Sequence, residues 1–122
     1  MIRMLKSLVE NKYEVFSMAN LSSATTGVKG AVIWVSVGEF SGKKSEHEAR
    51  IKVVEGASMS SNLENAAVIT IEESPKVLHG KIKNKVAKDS ISFVTLNKKP
   101  LLDYWNGKID TAVFISRLKP IS

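Results

Sequence analysis

The sequence predicts an α+β domain in which a three- to four-stranded, mainly antiparallel sheet is covered on one face by C-terminal helices. Three observations predict it. Two β-rich runs, AVIWVSV at 31–37 and EARIKVV at 48–54, flank a polar connection, and a third, AAVITIE at 66–72, follows. From Pro100 onward the punctuation turns helical, with a proline at the start, Gly107 between two segments and Pro120 at the end. Strands placed early and helices placed late suit a sheet with helices laid on it.

Taken in order, residues 2–11 set Ile2, Leu5, Leu8 and Val9 at helical spacing before Asn11, which predicts an amphipathic helix. A competing reading pairs 6–9 with 13–18 as a hairpin around Glu10-Asn11-Lys12, and Tyr13, Val15 and Phe16 suit a short strand. Met18 opens MANLSSATTG in the manner of a start codon; on that reading residues 1–17 are a peripheral upstream extension. The stretch 20–30, NLSSATTGVKG, is dense in Ser, Thr and Gly and reads as a loop.

The central pair of strands, expected at 31–38 and 48–55, is bounded by Gly30 and Gly56. Alternation puts Ala49, Ile51 and Val53 on one face and Arg50 and Lys52 on the other. If Ile33, Val35 and Val37 join the apolar set, Trp34 falls on the outer face beside Arg50 and Lys52. The connection between them, EFSGKKSEHE, is too long for a two-residue turn and reads as a polar surface loop. In the third strand Ala67, Ile69 and Ile71 share a face, and Ser74-Pro75 ends it. Residues 76–85, KVLHGKIKNK, read as a polar connection in which Val77, Leu78 and Ile82 anchor one turn.

Residues 86–98 carry two signals. Ala87, Ile91, Val94 and Lys98 make a helical stripe with Asp89 as an N-cap, while ISFVTL has the β-branched content of a strand; the helical segments that follow favour the helix. Pro100 then suits the first turn of a new helix with Leu101, Leu102 and Trp105 buried and Gly107 as its C′ residue. Asp110 caps a last helix through Arg117 with the stripe Val113, Phe114 and Leu118. Tyr104 and Trp105 are expected to dock this pair on the sheet against Ile51 and Ile69. A DNA-reading version of the pair would want basic or amide side chains on its second helix, and TAVFISRLK offers only Arg117 and Lys119.

At 122 residues the chain reads as one domain, 1–122, large enough to bury a core without staples. It has no cysteine, which removes disulfides, thiolate catalysis and Cys-ligated zinc. No apolar run approaches the roughly 18 residues of a membrane span, and Lys6 and Glu10 interrupt any leader-like core, so a soluble, cytoplasmic protein is expected, with no membrane partner. The sequon Asn20-Leu21-Ser22 then carries no meaning. The net charge of +6 resides in 76–99, where seven lysines face Asp89 alone; the rest is neutral. Such a field attracts polyanions. Because only Arg3, Arg50 and Arg117 among the 18 basic residues are arginine, base reading and bidentate phosphate clamping are poorly served.

Searching the sequence for chemistry finds little. The histidines are His47 and His79; His47, in Glu46-His47-Glu48, would bind a metal only if His79 or Glu72 came close in space. Gly27-Val28-Lys29-Gly30 lacks the spacing of a dinucleotide fingerprint, no P-loop or nucleophile elbow is present, and Glu72 and Glu73 point to opposite sides of a strand. An enzyme is not expected, and neither is a cofactor. Three readings follow in order: a non-enzymatic binding or adaptor module, as a monomer or homodimer; a mainly non-specific nucleic-acid binder using Trp34, Arg50, Lys52, Lys81, Lys83, Lys85 and Lys88; and a small-ligand or metal site near His47.

The stretch RIKV at 50–53, LLDYWNGKIDT at 101–111 and RLKPI at 117–121, with 20–27 before them, resembles a family of small uncharacterised bacterial proteins of the accessory kind carried by phages, plasmids and integron cassettes. The resemblance spans 18–121, which favours Met18 as the ancestral start, and it implies no catalytic residue. Pro100 departs from the unbroken helix the resemblance suggests.

Overall fold

The β-branched runs pair into strands because each has an aliphatic set that a neighbouring strand and a helix layer remove from water. The computed structural model describes residues 18–37, 39–40, 43–44, 48–56 and 66–122. The helix expected at 2–11, its hairpin alternative, the extension 1–17 and His47 lie outside them.

Among the described residues the chain runs β1 (Met18–Leu21), α1 (Ser23–Thr26), β2 (Ala31–Ser36), β3 (Glu39–Phe40), β4 (Lys43–Lys44), β5 (Arg50–Glu55), β6 (Ala67–Thr70), β7 (Val77–His79), α2 (Asn84–Leu96), α3 (Lys98–Trp105) and α4 (Thr111–Arg117). The main sheet has the order β1-β2-β5-β6-β7, antiparallel throughout, and β3 and β4 form a separate ribbon within the central connection. Register is set by the apolar pattern: Ile33 faces Val53, and Ile51 faces Ile69. A slip of one residue would turn all four to the other face.

The C-terminal helices cover one face of this sheet. The core joins Leu21, Ile33, Val35, Ile51, Val53 and Ile69 from the strands to Phe93, Val94, Leu101, Tyr104 and Phe114 from the helices. Tyr104 and Phe114 stack with ring centroids 4.3 Å apart, and the Tyr104 hydroxyl shares a 2.8 Å hydrogen bond with Thr111 Oγ1, so the polar end of a fully buried ring is satisfied.

The C-terminal tail closes the layer. Asn97 is 1% exposed between α2 and α3; its Nδ2 donates to the Phe93 and Lys119 carbonyls at 3.1 and 2.8 Å, and its Oδ1 accepts from the Lys119 N–H at 2.8 Å. Two residues on, Ile121 N–H donates to the Thr26 carbonyl at 2.9 Å. Gly27 makes room for that contact: its φ is 80°, and a Cβ there would collide with the Ile121 carbonyl oxygen and lie 2.8 Å from its nitrogen.

Several expectations change. Asn20 and Leu21 are strand rather than loop, because Met18–Leu21 pairs with β2 and buries Ala19 and Leu21. The central connection is not wholly irregular, since it contains β3 and β4. Val77–His79 is a fifth strand of the sheet, with Val77 and Leu78 exposed instead of anchored; only Ile82 packs against the core. The helix expected at 86–98 spans Asn84–Leu96; Val94 is buried as expected and Ile91 packs at the core's margin, while Val86, Ser90 and Phe93 rather than Ala87 and Lys98 complete the buried side. Asp89 is no cap there; it lies inside the helix and pairs with Lys85 at 3.0 Å. Tyr104, not Trp105, is the core aromatic of α3, and in α4 Phe114 alone is buried, with Val113 42% exposed. The Asp110 cap is present, accepting from the Val113 N–H at 2.8 Å, and Gly107 has a φ of 73° after α3.

Candidate nucleic-acid interface

Opposite residues of an antiparallel pair share a face. The pairings Asn20 with Trp34, Trp34 with Lys52, Lys52 with Val68 and Val68 with His79 therefore draw one row across all five strands on the face away from the helices. Asn20, Lys52 and His79 are exposed and Trp34 is half-buried, while Val68 and, in the adjoining rows, Val32, Val54 and Thr70 are buried. The next row carries Met18 opposite Ser36, and Arg50 opposite Thr70. Trp34, Lys52 and Arg50 thus lie together as the alternation predicts.

Each has a defined environment. Trp34 is half-buried, and its indole Nε1 is buried with no hydrogen-bond partner among the described residues. Arg50 is half-buried, and its Nε donates to the Glu48 carbonyl at 3.3 Å, which lays the guanidinium along the start of its own strand. Lys52 is exposed and directly opposite the indole, where Cβ atoms of facing residues lie about 5 Å apart.

The start of α2 is tied to the helix-covered side of the sheet. The Lys83 N–H donates to Glu55 Oε2 at 2.9 Å, fixing the start of α2 to the end of β5. Glu55 is three residues from Lys52 and therefore points to the opposite face of β5, the side of Ile51 and Val53. Lys81, Lys83, Lys85 and Lys88 are all exposed, and Lys85 and Lys88 share a helix face. Lys85 is partly neutralised by Asp89, and elsewhere in the basic segment Lys98 pairs with Glu73 at 3.2 Å and Lys99 with Asp103 at 3.4 Å.

Family models, curated proteins and solved structures offer no match to this chain. Its chemistry is read from its own residues.

The other candidates separate on the same geometry. Arg117 is turned to Asp103 at 3.3 Å, and the exposed side of α4 presents Val113 and Ile115, at 42% and 43%, where a DNA-reading helix would present donors and acceptors. Glu72 Oε2 accepts from Thr70 Oγ1 at 2.5 Å, and that hydroxyl in turn accepts from the Lys76 N–H at 2.9 Å, so Glu72 serves the β6–β7 turn. His79 is exposed, and among the described residues no three or more His, Asp and Glu gather as metal ligands. Among the described residues no helix is long and apolar enough to cross a membrane.

Sequence reasoning missed Asn20 and His79 as members of the row, and the exposed Val77 and Leu78 beside it. Asn20 sat in a Ser/Thr-rich stretch that masks a four-residue strand, and a three-residue strand such as β7 is too short for periodicity to register. Its one signal was Gly80 closing an apolar pair.

Proposed function

We propose that this protein acts by binding rather than by catalysis, and that its outer sheet face takes single-stranded nucleic acid with little sequence preference. One observation carries the reading: Trp34 stands directly opposite Lys52 on the face away from the helices, with Arg50 on the next row. An indole stacks on any base, and lysines hold phosphates as point charges, so affinity is modest and falls with salt. The resemblance to accessory proteins of mobile elements is compatible with such a role. Fluorescence anisotropy with labelled single- and double-stranded oligonucleotides at 50 and 200 mM salt tests it; steep weakening with salt and preference for the single strand are expected, and no binding at low salt refutes it.

An adaptor reading, in which the ligand is another protein and the chain works as a monomer or homodimer, draws on a different feature: the exposed edge strand β7.

A further inference from the structure

Among the described residues β7 ends the sheet on one side, with no strand paired to its outer edge. Lys76, Val77, Leu78, His79, Gly80 and Lys81 are all exposed, with Val77 at 38% and Leu78 at 46%. Thr70 N–H donates to the Lys76 carbonyl at 3.0 Å, flanking the Ile69–Val77 pair. A bond in that position marks Ile69 and Val77 as a pair whose own polar groups do not meet, so the N–H and C=O of Val77 turn off the sheet. The strand is also held firmly. Gly80 has a φ of 94°, and a Cβ there would lie 2.6 Å from Ala67 Cα, so β7 runs as close to β6 as a backbone allows.

The surroundings are basic. Lys76 and Lys81 bracket the strand and Lys83 follows, while the adjacent acids are engaged, Glu72 by Thr70 and Glu73 by Lys98. A second copy is a poor occupant: antiparallel pairing of β7 with itself about Leu78 sets each Lys76 beside the Gly80–Lys81 end of the other strand. Short length, a register shift at Val68/Ile69 and flanking lysines are how an edge avoids its own kind. The same lysines attract an opposite charge.

We propose that the β7 edge is a strand-addition site for an extended acidic segment of another protein. The segment bonds its main chain to Val77, lays its apolar face against the Val77 side chain, and turns its carboxylates to the flanking Lys76 and Lys81. This inference rests on the adaptor reading and does not require a ligand on Trp34.

The test is a two-dimensional amide NMR titration of the full chain with three short peptides: alternating glutamate and valine, the same peptide N-methylated at alternate amides, and a lysine-for-glutamate version. Shifts centred on residues 76–80 with the first peptide, and none with the other two, are expected. Val77→Pro removes the outward N–H without touching the ladder to β6, and Lys76→Glu with Lys81→Glu reverses the flanking charge; each should weaken binding about tenfold or more while the remaining spectrum stays native. Equal binding of the N-methylated peptide, or unchanged binding by Val77→Pro, overturns strand addition. Shifts confined to another surface overturn the site and leave the adaptor reading standing. No shift with any peptide at millimolar concentration overturns the inference, and oligonucleotide binding at Trp34 in the same sample then replaces the adaptor reading. Self-association that Leu78→Lys abolishes makes the occupant a second copy and overturns it as well.

Discussion

Asn97→Ala is the substitution that most sharply tests how the helix layer is closed. The amide is almost wholly buried and makes three hydrogen bonds of 2.8 to 3.1 Å, two of them to the Lys119 backbone 22 residues away. At about 1 kcal/mol each, their loss comes to about 3 kcal/mol. For a domain of this size that lowers Tm by roughly 10 °C. Urea unfolding followed by circular dichroism measures it. Asn97→Asp is the companion at nearly unchanged shape: it swaps two donated bonds for a carboxylate facing the Phe93 and Lys119 carbonyls, and it should cost at least as much at neutral pH. If both variants stay within about 0.5 kcal/mol of the parent, the tail is not held by this side chain and the reasoning fails.

Four further substitutions check the remaining steps. Ile51→Ala, at the centre of the sheet with no exposed surface, should lose about 2–5 kcal/mol by urea unfolding. Gly27→Ala should destabilise and release the tail, read as faster amide exchange at Ile121, because the methyl would meet Ile121 backbone at a positive φ. Asp110→Ala, which removes the cap bond to Val113 N–H, should cost about 0.5–2 kcal/mol in the same assay. Lys85→Ala breaks an exposed pair with Asp89 and should change stability by less than about 1 kcal/mol.

The inner face of the sheet was legible from its alternation: Ile33, Val35, Ile51, Val53 and Ile69 all reach the core, although Val32, Val54 and Val68 of the opposite face are buried as well. The cap at Asp110 and the glycine after α3 were legible because those positions need particular residue types. The side of α2 that is buried was less so. A stripe of Val86, Ser90, Phe93 and Val94 includes a buried serine that hydropathy counts against, so the pattern reached only part of it. Choosing Tyr104 over Trp105 depends on which face of a two-turn helix meets the sheet, and the stack on Phe114 with the Thr111 hydrogen bond decides it through partners distant in sequence. Short strands escaped for want of length. The row from Asn20 to His79 needed both β1 and β7, so only its central pair, Trp34 and Lys52, could be read from sequence.

Emission from Trp34, isolated by Trp105→Phe, is the most direct probe of the outer face. Titration with a single-stranded oligonucleotide at low salt should quench it saturably, with recovery as salt is raised and a weaker response in Lys52→Glu. Binding that leaves Trp34 emission unchanged, or the absence of binding, would contradict the assignment of this face as the ligand surface.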